Sequence, residues 1–168
     1  MDSNAMGGGP ILVFLHLLGG ASWLGASVFA NVALVPYIGG RPTPERRELV
    51  QRLILGPERL LIGSALLAGS TGVLLGVSSG RIGRFDDLSS PFGILWIASI
   101  GTAIAVFATG GLVTSRAAAS LAGPDHAEGG LGPSGWADDA FRRLRLGFAV
   151  ELAGIVAILA LMVALGRS

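Results

Sequence analysis

FLHLLGGASWLG, residues 14 to 25, places a histidine in the middle of an apolar run that has no Asp, Glu, Lys or Arg from Ser3 to Gly40. This run is longer than the ~20 residues that an α-helix needs to cross a hydrocarbon core of about 30 Å. It is also too long for a signal peptide and has no basic segment before it. We therefore expect a retained membrane span.

Three further stretches have the same character. Residues 60–80 and 88–115 carry no charge, and residues 146–166 carry one, Glu151. Only 14% of the 168 residues are charged and the mean hydropathy is +0.68, whereas roughly a quarter of a soluble domain is charged. These features predict an all-α integral membrane protein, an antiparallel four-helix transmembrane bundle. It forms a single domain over 1–168, with spans at about 10–37, 60–80, 91–115 and 145–166.

The distribution of arginine predicts the orientation of this bundle. Of the 12 basic residues other than histidine, all arginine, nine lie in or beside the first and third connections. Short cytoplasmic loops carry the excess of Lys and Arg. We therefore expect both of these connections in the cytoplasm, and both termini and the loop at 81–90 outside it, in a bacterial inner membrane.

The two cytoplasmic connections differ in composition. Thr43 and Pro44 suit a helix N-terminus, and the apolar and arginine residues that follow have helical spacing. This segment either lies on the membrane surface or extends the second span. The connection at 117–140 is rich in Gly, Pro and small residues, which predicts a solvated linker, and the spacing of Asp125, His126 and Glu128 is not typical of metal ligands.

Stripes of small and polar residues predict which helix faces look inward, because helices in lipid pack through small residues. A carboxylate in hydrocarbon costs a few kcal/mol, so Glu151 should face protein. The fourth span carries one stripe at steps of three and four: Gly147, Glu151, Gly154, Ile158 and Met162. The first span carries the other: His16, Gly20, Trp23, Ser27 and Asn31.

The depth of each residue in the membrane predicts which positions of the two stripes lie level with each other. At about 1.5 Å per residue, His16 and Asn31 lie ~22 Å apart along the helix axis. An antiparallel bundle then places His16 level with Met162, and Asn31 level with Glu151. Glu151 is either a protonated acid that is bonded to Asn31 or to a backbone carbonyl, or part of a proton or cation relay. The buried polar or relay set is Glu151, Asn31 and Trp23.

Four segments in order resemble one membrane family. LHLLGGASWLG (15–25) resembles the histidine-bearing first helix of the copper resistance protein D (CopD) domain, and RLLIGSALLAGSTGVLLG (59–76) resembles the helix after it. SSPFGILWIAS (89–99) is similar to the family's Thr-Pro-Tyr-Gly turn and third helix. FRRLRLGFAVELAGIVAILAL (141–161) is similar to its last helix, with an Arg-Arg start and a buried Glu. The resemblance covers Leu15 to Leu161.

This resemblance implies a role in copper transport or copper homeostasis. The copper ligands would be His16 and Met162, since imidazole and thioether suit Cu(I). The expected partners are the lipid bilayer and either a second copy of the chain or a periplasmic metal-donor protein, and no nucleic acid. Where the family has an Arg and a Lys on the third helix, this chain has Ile94 and Ala98.

Two alternatives remain beside copper. The related HemJ-type membrane proteins carry a similar first-helix histidine that is thought to ligate haem, which implies a haem-binding redox protein with His16 as axial ligand. In the other, His16 is a neutral structural histidine that is hydrogen-bonded to a Ser or Thr on a neighbouring helix, and the chain is a non-catalytic subunit of a membrane complex. The absence of cysteine excludes disulfides and thiolate metal sites. The residues favour transport or binding over an enzyme.

Overall fold

The computed structural model describes residues 8–123 and 135–167. Helices are the only regular secondary structure in this part of the chain. Four of them are long: α1 (Gly9–Gly39), α2 (Thr43–Ser78), α3 (Pro91–Ala122) and α4 (Trp136–Leu165). Each is long and apolar enough to cross a membrane. The predicted all-helical fold with four membrane-type helices is confirmed.

Turn chemistry defines the connection between α2 and α3. Gly80 follows the end of α2 with a φ of +71°, a conformation that glycine adopts without a Cβ clash. A short 3₁₀ helix, Phe85–Ser89, precedes α3. The Asp87 carboxylate accepts the backbone N–H groups of Gly83 and Arg84 at 2.8 and 2.7 Å. Because these bonds favour the charged form, the pKa of Asp87 is lowered from its ordinary value.

Three of the long helices contain a π-helical turn. These turns are Ala30–Leu34 in α1, Gln51–Leu55 in α2 and Gly110–Thr114 in α3. Single π-helical turns within α-helices are uncommon and frequently lie at functional sites. Each of the three turns contains at least one buried residue: Leu34 in the first, Ile54 in the second and Thr114 in the third.

One end of the molecule has a closed hydrophobic core, which we call the packed half. All four helices contribute to it, and Ile38, Val50 and Leu144 are fully buried. The burial of apolar surface and the dense packing of these side chains stabilise this end. The buried members of the cluster are Ala30, Leu34, Val35, Ile38, Val50, Ile54, Ala117, Ala118, Leu121, Ala140, Leu144 and Phe148.

Arg46 connects three elements of the packed half. Its guanidinium donates to the Asp138 carboxylate at 3.0 Å and to the carbonyls of Gly39 and Arg41 at 3.4 and 3.3 Å. It also stacks on the Phe141 ring, 4.9 Å from the centroid. Only 12% of the Arg46 side chain is exposed, so this residue joins the end of α1 and the starts of α2 and α4.

The helices associate as two pairs. α1 packs along α2, and α3 packs along α4, whereas the two pairs touch each other mainly in the packed half. Gly19 allows the first close approach, since a Cβ there would lie 2.8 Å from the backbone nitrogen of Ala68. Gly154 allows the second, against Val106. Away from the packed half the pairs separate and leave a cleft, and we call this end the cleft half.

The two predicted cytoplasmic connections differ in how far the sequence anticipated them. The segment from Thr43 runs directly into α2 with Val50 buried, so it extends that helix. The prediction of a linker from Ala117 is wrong over its first residues. α3 continues to Ala122 with Ala118 buried, because alanine favours helix and its small side chain packs here. Residues 124–134, with Asp125, His126 and Glu128, lie outside the described part.

Candidate functional site

His16 is held against α2 by one strong hydrogen bond. Its Nδ1 lies 2.8 Å from the carbonyl oxygen of Ala68, and Thr71 Oγ1 is 3.4 Å from the same nitrogen. A carbonyl only accepts, so Nδ1 carries a proton in this contact, and in the neutral ring Nε2 then keeps its lone pair. The Thr71 hydroxyl donates to the carbonyls of its own helix, at Leu67 and Ala68.

Gly72 provides the space that this imidazole occupies. A Cβ at Gly72 would lie 2.9 Å from His16 Cε1 and 3.2 Å from Nδ1. With Gly19 against Ala68, the two glycines bring α1 and α2 into backbone contact and fix the ring between them. The structural interpretation of His16 predicted a Ser or Thr partner on a neighbouring helix. The structure gives a backbone carbonyl of that helix at 2.8 Å, with the Thr71 hydroxyl at 3.4 Å, and Nε2 has no partner among the described residues.

A cavity of about 1060 Å³ lies beside His16 in the cleft half. All four helices line it, and its walls are mostly Leu, Ile, Val, Ala and Gly with Phe92 and two tryptophans. Leu17 and Ile104 are in the lining yet 63% and 64% exposed, so the cavity opens to the outside of the helix bundle. The side chains in the lining that carry a polar group are His16, Trp23, Ser70, Ser79, Arg81, Trp96 and Ser99.

The serine hydroxyls of the lining are already hydrogen-bonded. Those of Ser70 and Ser99 donate to carbonyls four residues earlier in the same helix, and Ser79, just after α2, donates to the Gly76 carbonyl and accepts the backbone N–H of Arg81. His16 Nε2, the Arg81 guanidinium and the Trp23 indole N–H have no hydrogen-bond partner among the described residues, whereas the Trp96 indole N–H is buried against Gly76.

Met162 and Trp23, both predicted site residues, line the same cavity as His16. They also pack against the small buried cluster of Val106, Ile155 and Ile158. The structure therefore brings His16, Trp23 and Met162 to one cavity. Their sulfur, nitrogen and ring atoms give it an imidazole, a thioether and an aromatic wall.

Sequence reasoning missed two residues of this cavity. The Trp96 ring lies against Gly76, and its Nε1 is buried without a hydrogen-bond partner in the described part of the chain. Arg81 stacks on the Phe92 ring, 4.9 Å from the centroid. The sequence signal was available for Trp96, since Gly72 and Gly76 form a small-xxx-small pair on α2 and imply close neighbours there.

A second set of polar side chains, centred on Glu151, lies in the packed half. Its carboxylate accepts a hydrogen bond from the Thr114 hydroxyl, in the π-helical turn of α3. Gly110 and Gly147 border the pair, since a Cβ on Gly110 would meet the carboxylate and one on Gly147 would meet Thr114. The predicted inward stripe of α4 thus faces α3, and its glycines make room for the carboxylate.

The predicted pairing of Asn31 with Glu151 is wrong. The Asn31 amide donates to the carbonyls of Ser27 and Phe148, both at 2.9 Å. It reaches α4 as expected, but three residues before Glu151, so it meets the backbone there instead of the carboxylate. Both hydrogens of the amide are used by these two bonds.

A further contact of this kind was not predicted. The Ser115 hydroxyl donates to the Glu58 carboxylate and joins α3 to α2. Glu58 is the first residue after the Gly56-Pro57 turn in α2. The Ser115–Glu58 and Asn31–Phe148 hydrogen bonds together connect the two helix pairs at the level of the π-helical turns.

The described residues, 8–123 and 135–167, contain no group of three or more His, Asp or Glu side chains that could hold a metal ion. His16 and Met162 are the imidazole and thioether donors on the cavity. Comparisons of the chain with protein families, with curated proteins and with solved structures find no match.

Proposed function

We propose that this chain is a membrane protein that binds haem in the cleft, with His16 Nε2 as an axial ligand to the iron. One observation carries the proposal: His16 lines a large apolar cavity while its Nδ1–H donates to the carbonyl of Ala68. Histidines that ligate metals almost always donate their other ring N–H to a carbonyl, a carboxylate or water. The described ring is prepared in that tautomer.

The proposed setting is a bacterial inner membrane, with the four helices antiparallel and both termini outside the cytoplasm. His16 lies against Gly72, and Gly19, three residues later, lies against Ser64 and Ala68. The contacts on α2 thus move to lower residue numbers as those on α1 move to higher ones, which supports opposite chain directions for α1 and α2. The concentration of arginine at the packed half supports a cytoplasmic location for that end.

The residues present fit such a group. A cavity of about 1060 Å³ matches the upper end of common ligand pockets, about 300–1,000 Å³. Its apolar walls with Trp23, Trp96 and Phe92 suit a flat macrocycle. Met162 offers a thioether on the same cavity, and His with Met is an established axial pair. When bound, haem would supply an iron whose redox potential depends on these ligands and on burial.

The test is an absorption spectrum of the purified protein before and after titration with haem. The wild type should give a Soret band with ligand-field features, and His16→Ala should lose them. Gly63→Ala is a matched control, because Gly63 lies on α2 outside the cavity lining and a Cβ there meets nothing within 4 Å. Identical spectra for wild type and His16→Ala would overturn the proposal.

Copper remains a second candidate because His16 and Met162 line one cavity, and imidazole with thioether suits Cu(I). In this case a periplasmic metal-donor protein or a second copy of the chain would complete the site. Competition with a Cu(I) chelator should show binding that His16→Ala abolishes and Met162→Leu weakens. Copper binding that survives His16→Ala contradicts this candidate.

A further inference from the structure

The open end of the cleft carries an arginine without a carboxylate partner in the described residues. Arg81 follows the end of α2, lines the cavity and stacks on Phe92 at 4.9 Å. The four ion pairs within the described chain involve other arginines. The nearest acids in the same loop are Asp86 and Asp87, and the Asp87 carboxylate is engaged by two backbone N–H groups. The guanidinium is therefore free to pair with a ligand.

Trp96 gives the cavity an aromatic wall between the level of His16 and the level of Arg81. Its ring lines the cavity, whereas the indole N–H lies against Gly76 of α2 and is buried there without a partner in the part of the chain that the structure describes. The ring therefore offers apolar contact to the body of a bound molecule.

Distances along α2 define the shape of this molecule. Gly72 touches the His16 ring, and Ser79, also in the cavity lining, lies seven residues later, about 10 Å along the helix axis. Arg81 follows two residues beyond. A molecule that reaches both His16 and Arg81 therefore spans on the order of 10 Å of apolar wall. A single metal ion does not.

We propose that Arg81 recognises the carboxylate of an amphipathic ligand whose apolar body fills the cleft. The inference deepens the proposed function, because the propionates of haem are one case of such carboxylates. Arginine with a carboxylate forms charge-assisted hydrogen bonds about twice as strong as neutral ones. The ligand then lies with its anionic edge at the open end and its body towards His16.

Metal-free protoporphyrin and its dimethyl ester are the probes, since the ester removes both carboxylates and neither probe needs an axial ligand. Binding is followed by porphyrin fluorescence with the full chain in lipid nanodiscs, against empty nanodiscs. Arg81→Gln should weaken protoporphyrin binding about tenfold or more and leave the ester unchanged. Arg84→Gln is the matched control in the same loop, outside the cavity lining.

The outcomes separate the two proposals. An Arg81→Gln effect that is equal for acid and ester, or absent for both, overturns the role of Arg81, as does failure of wild type to bind protoporphyrin above empty nanodiscs. Protoporphyrin binding that depends on Arg81, together with a haem spectrum that is indifferent to His16→Ala, supports the carboxylate site and overturns haem ligation by His16.

Discussion

Gly72→Ala tests the central geometry, the position of the His16 ring between α1 and α2. The added methyl would lie 2.9 Å from His16 Cε1 and 3.2 Å from Nδ1, closer than carbon atoms pack. The ring must move, and its 2.8 Å bond to the Ala68 carbonyl must lengthen or break. Gly69→Ala is the control, three residues earlier on the same helix, where the methyl meets nothing within 4 Å.

The expected magnitude follows from the difference between these two variants. Both gain the same helix propensity on changing glycine to alanine, so that contribution cancels. Gly72→Ala alone loses a hydrogen bond, about 0.5–1.5 kcal/mol, and overpacks a helix contact, about 1–3 kcal/mol. The free energy of unfolding should therefore be lower for Gly72→Ala than for Gly69→Ala by roughly 1.5–4.5 kcal/mol.

The assay is reversible unfolding in mixed micelles with increasing denaturing detergent, followed by far-ultraviolet circular dichroism. Haem titration of the same samples adds a second readout, because a displaced imidazole should bind iron more weakly in Gly72→Ala only. Equal free energies of unfolding for the two variants would show that the ring does not occupy the space beside Gly72, and the account of His16 would be refuted.

Three further predictions concern topology, the packed half and pH. The chain has no cysteine, so a single cysteine can be introduced at Thr43 or at Ser89. An impermeant thiol reagent should label only one of these two variants in intact cells, because the two positions should lie on opposite faces of the membrane. Labelling of both variants in intact cells contradicts the four-span arrangement. Glu151→Gln keeps an acceptor for the Thr114 hydroxyl, whereas Glu151→Leu should lower the free energy of unfolding by about 1–3 kcal/mol; equal stability in denaturant unfolding would count against that hydrogen bond. Because the pKa of Asp87 is lowered from 3.8, its stabilising effect is complete above that pH and is lost as pH falls through the lower folded-state value. Thermal unfolding of Asp87→Asn should lack this part of the acid dependence.

The existence and approximate positions of the four helices follow from hydrophobicity alone. Charge-free runs of sufficient length leave few other structures for a chain of this composition. Helix boundaries were harder to predict from the sequence, because buried alanines such as Ala118 extend α3 through tertiary contacts that composition does not reveal. The π-helical turns were also beyond prediction, since no residue pattern in Ala30–Leu34 differs from an ordinary helix.

Depth arguments placed residues at the right level but not at the right rotation. Asn31 and Glu151 are near each other along the helix axes, yet Asn31 meets the Phe148 carbonyl and Glu151 meets Thr114. A shift of three residues along α4 is less than one turn, and packing of neighbouring helices decides it. The cleft itself was not predicted, because a periodic stripe shows which face is buried and not how far apart two helix pairs stand.

The two-pair arrangement has a consequence for how a ligand arrives. Within the described residues, the hydrogen bonds that join one pair to the other are all in the packed half: Asn31 to Phe148, Arg46 to Asp138, Arg47 to Ala122 and Ser115 to Glu58. None of these four bonds would break if the cleft half widened, and the contacts between the pairs there include apolar packing of Trp23 and Leu24 against Val106, Ile155 and Ile158. In a bilayer, acyl chains of the same polarity replace those contacts at little cost. If the chain spans a membrane and binds its ligand in the cleft as proposed, a molecule already dissolved in the lipid would reach His16 from the side, along the plane of the membrane, without passing through water.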